Sequence, residues 1–162
     1  KGSTFWFTIK LAKGDSALAT KTKRNETPKI SGSLHSVHAR VLLVDDNATN
    51  RKVAGQILLK AGCEVILASS GQDAISVLEN DINFDLVLMD IQMPEMDGLE
   101  ATRLIRSQTQ VGSPNVPIIA LTANALADDK QRCFEAGMDD FLVKPIQSDA
   151  LLKALKQWAR RT

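Results

Sequence analysis

Leu86-Val87-Leu88-Met89-Asp90 decides the fold of this chain: four apolar residues in succession, closed by a carboxylate. Two other stretches repeat the design. Val41-Leu42-Leu43-Val44 runs into Asp45-Asp46, and Phe141-Leu142-Val143 runs into Lys144-Pro145. Short continuous apolar runs, separated by segments with helical periodicity, are strands of a parallel sheet covered on both faces. In open sheets of that kind, ligands bind beyond the carboxyl ends of the strands, where the strand order reverses. The charges that close these runs are therefore expected to share one crevice.

Working outward, strand and helix patterns alternate five times from Arg40 onward. The expected strands cover 40–44, 64–68, 85–89, 117–121 and 140–143, and the expected helices 49–61, 71–79, 98–107, 127–136 and 148–159. The last helix carries Leu151, Leu152, Leu155 and Trp158 at helical spacing, a stripe that docks on a sheet. Five such units with right-handed crossovers predict an α/β fold: a flavodoxin-like, doubly wound, five-stranded parallel sheet of order 2-1-3-4-5. In that order the reversal falls between the first and third strands, which end in Asp45, Asp46 and Asp90.

Three carboxylates brought together repel one another. A like-charge pair 4 Å apart costs about 4 kcal/mol at an effective dielectric of 20, and Lys144 alone does not offset three such pairs. Either a proton is taken up or a cation binds. The donors are hard oxygens with no His or Cys nearby, so Mg²⁺ fits best, and with Lys144 it brings the formal charge of the site to zero. A neutral site accepts a phosphoryl group, and Asp is a residue type that forms an aspartyl phosphate. The cation and Lys144 would stabilise charge on the transferring oxygens. Thr122 closes Ile118-Ile119-Ala120-Leu121, so its hydroxyl is expected in the same crevice.

Four segments resemble the receiver domains of two-component response regulators: 44–51 (VDDNATNR), 89–98 (MDIQMPEMDG), 120–125 (ALTANA) and 136–145 (AGMDDFLVKP). Asn47-x-x-Asn50-Arg51 after the acidic pair, and the run Met89-Asp90-Ile91-Gln92-Met93-Pro94, look most like receivers carried by hybrid sensor histidine kinases. The resemblance covers about 40–160. Position by position, it implies Asp90 as phosphoacceptor, Asp45 and Asp46 as Mg²⁺ ligands, one partly through water, and the Gln92 carbonyl completing the protein's share. It also implies Lys144 pairing with the phosphoryl group before a cis Pro145, and backbone contacts to phosphate from Ile91, Gln92 and Ala123. Thr122 and Phe141 would form a switch pair, although Phe141 stands where many relatives have Tyr and so offers no ring hydroxyl. Asn124, two positions after Thr122, is expected to tune hydrolysis of the phosphate.

The first 39 residues differ in character. Phe5, Phe7, Ile9 and Leu11 alternate with Trp6, Thr8 and Lys10, one amphipathic strand, and 12–39 lose all hydrophobic period, as a flexible linker does. That strand either packs on the following domain or belongs to a neighbouring one. Residues 1–9 resemble the last glycine box and closing strand of a histidine kinase ATP-binding domain, lacking its first glycine. The expected organisation is thus a remnant closing strand at 1–11, a linker at 12–39 and a receiver at 40–162. The chain begins at Lys1 without Met, consistent with a piece of a longer protein, a hybrid histidine kinase.

Several features carry plainer readings. Asp46 or Asn47 suits a cap for the first helix, Asp97-Gly98 a turn and helix start, and Asp139 and Asp140 solvated loop positions. His35 and His38 read as linker residues, Met93 and Met96 as packing residues, and Cys63 and Cys133 as buried reduced thiols without metal-ligand spacing. The net charge of +1 over 162 residues offers no basic patch for nucleic acid. No apolar run approaches the length of a membrane span and no signal peptide opens the chain, so cytoplasmic location without direct membrane contact is expected. The segment is expected to be a self-phosphorylating and self-dephosphorylating switch rather than an enzyme, a monomer or weak dimer. Its partner would be a kinase dimerisation domain in cis or a histidine phosphotransfer protein. A phosphohydrolase with an Asp nucleophile is the enzymatic alternative, but such enzymes want Asp-x-Asp where this chain has adjacent Asp45-Asp46. A binding module indifferent to phosphorylation is the third reading.

Overall fold

The structure is a computed structural model and describes residues 38–81, 83–107, 115–124 and 126–159. The expected strand at 1–11 and most of the expected linker lie outside the described residues. The chain alternates β1 (Arg40–Val44), α1 (Ala48–Lys60), β2 (Glu64–Ala68), α2 (Gly71–Asn80) and β3 (Leu86–Asp90). It continues with α3 (Gly98–Ser107), β4 (Ile118–Thr122), α4 (Ala127–Glu135), β5 (Asp140–Val143) and α5 (Ser148–Trp158). All four strand pairings are parallel and the order is β2-β1-β3-β4-β5, as expected for the doubly wound fold.

The strands read as unbroken apolar runs because both faces of the sheet are covered. Side chains alternate across it. Leu42, Val44, Val87, Met89, Ile118 and Ala120 pack with residues of α2, α3 and α4 on one face. Val41, Leu43, Leu86, Leu88, Ile119 and Leu121 pack with α1 and α5 on the other. Leu151 and Leu155 of the predicted stripe are buried and Leu152 and Trp158 pack around them. Cys63 and Cys133 are buried thiols outside any disulfide, on opposite faces of the sheet, which keeps them apart. Cys63 sits just ahead of β2.

Two strand boundaries depart from expectation in a way that bears on the site. β3 and β4 each run one residue later, because Asp90 pairs with Leu121 and Thr122 with Val143 in the ladder. The polar residue that seemed to end each run is thus held by sheet hydrogen bonds. Helix bounds differ by single residues, as fraying ends do. Asn47 caps α1, its Oδ1 accepting from the Thr49 and Asn50 amides at 2.9 and 3.4 Å.

Asp139 and Asp140 need correction: they are structural residues, not solvated loop positions. Asp139 accepts from the Arg106 guanidinium and from the Ile118 amide, both at 2.8 Å, which ties the start of β4 to the turn before β5. Asp140 opens β5 and accepts from the Trp158 indole at 2.8 Å, fastening α5 to the sheet edge.

Candidate functional site

The carboxyl ends of β1, β3 and β4 border a cleft of about 540 Å³ whose walls include Asp46, Gln92, Met93, Thr122, Asn124 and Arg132. β1 delivers Asp45, 1% exposed, followed by an exposed Asp46. β3 delivers Asp90, 3% exposed. One oxygen from each of these three carboxylates lies within 4.8 Å of the others. Lys144, one residue past β5, lies between two of them, its Nζ 2.7 Å from Asp45 Oδ2 and 2.7 Å from Asp90 Oδ2. The Lys144 amide is fixed to the Thr122 carbonyl at 2.7 Å, and the peptide to Pro145 is cis.

The electrostatics follow from burial. Loss of solvent pushes the Asp90 carboxyl above the ordinary range and Asp45 adds to the rise, while Lys144 and the Gln92 amide pull it back. Burial works against the Lys144 ammonium, yet Asp45 and then Asp90 outweigh it, so its pKa stands above the ordinary value. Three carboxylates against one ammonium leave an excess of two negative charges. All-oxygen donors of this kind match a hard divalent cation.

Each remaining predicted residue has a definite position. Asp90 Oδ1 accepts from the Gln92 amide at 3.2 Å. The Ile91 amide is engaged by the Leu121 carbonyl at 3.1 Å, and the Ile91 carbonyl accepts from Gly98. Ala123 is exposed at the turn after β4. Thr122 borders the cleft, but its hydroxyl donates to the Asn124 carbonyl at 2.9 Å and accepts from the Asn124 amide at 3.1 Å, a closed local loop. Phe141 is half-buried against the core, and Lys130 of α4 stands over its ring, 4.4 Å from the centroid. Met93 is buried and Met96 packs against the same core, as expected.

Three residues of this region escaped sequence reasoning as contributors to the site. The Asn50 amide donates to Asp45 Oδ1 at 3.2 Å, and the Arg51 guanidinium donates to the Asp45 carbonyl. Their presence in the resemblance motif was the available signal. The third is Gly98: a Cβ there would lie 2.0 Å from the Asp90 carbonyl oxygen, so only glycine lets α3 begin against the end of β3. Its reading as a helix start is right, with Asp97 Oδ1 accepting from the Glu100 amide at 2.7 Å, but that reading leaves out the backbone it touches.

Residues 41–156 match the family of response regulator receiver domains. The chain belongs to that family. It is homologous to the receivers of hybrid histidine kinases: it is 38% identical over 153 residues to the sensor histidine kinase GacS of Pseudomonas protegens, covering 93% of this chain and 16% of that protein. Among solved structures, the magnesium-bound receiver domain of sensor histidine kinase PA1611 from Pseudomonas aeruginosa is 42% identical, with a TM-score of 0.68 over 75% of this chain and 98% of that one. Its magnesium ion is coordinated in the active-site cleft. The Saccharomyces cerevisiae receiver domain of Ssk1, solved with the histidine phosphotransfer protein Ypd1, is 33% identical with a TM-score of 0.68, covering 75% of this chain and 89% of that one. The chain spans 7 to 14% of the length of the first curated relatives it matches.

Proposed function

We propose that this receiver domain takes a phosphoryl group from a phosphohistidine onto Asp90, as one step of a phosphorelay within or downstream of a hybrid histidine kinase. The observation that carries the reading is the convergence of Asp45, Asp46 and Asp90 within 4.8 Å, with Lys144 bridging two of them. In the transfer the P–N bond of the donor breaks as a P–O bond forms to an Asp90 carboxylate oxygen, and the donor imidazole leaves. Asp45, Asp46, Asp90 and the Gln92 carbonyl would hold Mg²⁺, which when bound supplies positive charge to the transferring oxygens. Asp45 would take the less direct share of the ion, since its two oxygens already accept three donors.

Lys144 has two roles in sequence. Before transfer its ammonium relieves the repulsion between Asp45 and Asp90. After transfer the phosphoryl oxygens carry about −1.5 to −2 charge and draw the ammonium toward them. Thr122 would then exchange its bonds to Asn124 for a phosphoryl oxygen, with Gln92 and Ala123 offering backbone N–H groups. Ile91 would do so only by releasing Leu121. The movement frees space behind Thr122 toward which the Phe141 ring can turn, altering the α4–β5–α5 side as a docking surface.

The partner class is a histidine phosphotransfer domain or the kinase's own phosphohistidine, and the supporting instance is the Ypd1 complex of the related Ssk1 receiver. Residues 1–11 are the closing strand of a kinase ATP-binding domain and 12–39 a linker in this reading. Its support is that an alignment with GacS covering 93% of the chain extends well ahead of β1. No helix among the described residues is long and apolar enough to cross a membrane. Incubation with a small-molecule phosphodonor and Mg²⁺ tests the core of the reading. Wild type should gain the mass of one phosphoryl group and Asp90→Asn should gain none; equal gain on both overturns it.

A further inference from the structure

Asp45 is a carboxylate at 1% exposure, and a buried charge of this kind persists only while donors surround it. It has three. Lys144 holds Oδ2, while the Asn47 amide at 2.9 Å and the Asn50 side-chain amide at 3.2 Å share Oδ1. Only Lys144 carries charge, and it divides that charge between Asp45 and Asp90. When the ammonium is drawn to a phosphoryl group, Asp45 is left with the two neutral donors on Oδ1.

Those two donors belong to one rigid piece. Asn47 caps α1 and Asn50 stands on its first turn, while the neighbouring Arg51 grips the Asp45 carbonyl. Of the contacts to Oδ1, the Asn47 one is main chain and the Asn50 one is set by residue identity. Chemistry at that position is constrained from both sides. An alkyl side chain gives no donor, a carboxylate adds a fourth negative charge, and an ammonium cancels the charge that calls for a divalent ion. An amide orients Asp45 and leaves its charge intact.

We propose that Asn50 is a positioning residue for the metal: through Asp45 Oδ1 it sets the divalent-cation affinity of the cleft. The inference rests on the reading of the cleft as a Mg²⁺-dependent acceptor site and names a residue of this chain that regulates it. Groups that orient a metal's carboxylates typically change affinity by tenfold or more when removed.

The test is a MgCl₂ titration of the full 162-residue chain, followed by two-dimensional amide NMR at Asp90, Ile91 and Gln92. It is run on wild type, Asn50→Ala, Asp45→Asn and the double variant, with thermal unfolding recorded alongside. Asn50→Ala should weaken Mg²⁺ binding about tenfold, and the same change on the Asp45→Asn background should add less than about twofold, since its target is gone. Asn50→Lys should stay folded and lose the Mg²⁺ response. A purely structural role would lower the melting temperature without this coupling. The inference falls if Asn50→Ala binds Mg²⁺ within about twofold of wild type, if its effect persists in full without Asp45, or if Asn50→Lys binds like wild type. A wild-type chain with no saturable Mg²⁺ response removes the underlying reading as well, so the two failures are told apart by the wild type alone.

Discussion

The two ends of the sheet both gather charge, and they treat it in opposite ways. At the amino ends of the strands the Arg40 side chain meets Asp81 and Glu64 while its amide donates to Asp85. There too Arg106 donates to the Gly137 carbonyl, the Val116 carbonyl and Asp139, and Asp139 in turn accepts from the Ile118 amide. Carboxylates outnumber guanidiniums there too, but Glu64, Asp81 and Asp139 keep 65%, 31% and 35% of their side-chain surface in solvent, and each donor has a fixed acceptor. At the carboxyl ends three carboxylates face one ammonium, and Asp90 is held above its ordinary pKa chiefly by burial. The first arrangement stabilises the fold. The second buries Asp45 and Asp90 almost completely, charge withheld from solvent that a cation and a phosphoryl group can use, the trade of stability against function seen at strained sites.

The sharpest way to break this contrast is at Arg106. Arg106→Ala would strip a half-buried carboxylate and two carbonyls of their donor, and should lower stability by about 3 kcal/mol in urea unfolding. Mg²⁺ binding by the remaining folded protein should be unchanged; a loss there would mean the two ends are coupled. Next is Gly98→Ala. The added Cβ must displace the end of β3, costing about 2 kcal/mol, and here Mg²⁺ affinity should fall with stability because Asp90 moves.

Asp90→Asn should act in the opposite direction. Removing a buried negative charge beside Asp45 should raise the stability of the metal-free protein by about 1 kcal/mol. The sign follows from the raised pKa: ionising Asp90 costs the fold as pH rises above the ordinary carboxylate range, so the advantage of Asn opens in that direction. Saturating Mg²⁺ should erase it. A destabilised Asp90→Asn would mean the Lys144 bridge outweighs the repulsion.

Smaller effects refine the picture. Lys130→Met should reduce the coupling between Lys130 and the Phe141 ring by about 0.5–1 kcal/mol in a double-mutant cycle with Phe141→Leu. Smallest is Asp81→Asn at the amino end of the sheet. The Asn83 amide, then Arg40, hold this carboxyl below the ordinary range, so its contribution is present above that range and lost as pH falls through it. Thermal unfolding against pH should show the variant slightly less stable near neutrality, with a shallower acid limb, and the two curves should converge in acid.

Much of this was legible in the residues. Val41 to Val44 and Leu86 to Met89 are apolar without interruption because helices cover both faces, and that is visible in a linear pattern. The placement of Asp45, Asp46, Asp90, Thr122 and Lys144 in one crevice follows from strand order alone. Asp139 and Asp140 misled, since a pair of aspartates after a glycine has the composition of a loop whether or not Arg106 and Trp158 wait for it.

The sequence by itself determined the periodicity, hence the strands, the helices and their order, and the residue types that gather where the order reverses. Only the tertiary structure decided what each charge does. That Lys144 bridges Asp45 and Asp90 across 99 residues of chain, that Asn50 holds the remaining Asp45 oxygen, and that Gly98 lies against the Asp90 carbonyl are distances in space. Local patterns encode which way a side chain points along its own element. They do not encode the ångström-scale approach of groups on different elements, and hydrogen bonding and charge pairing depend on that approach.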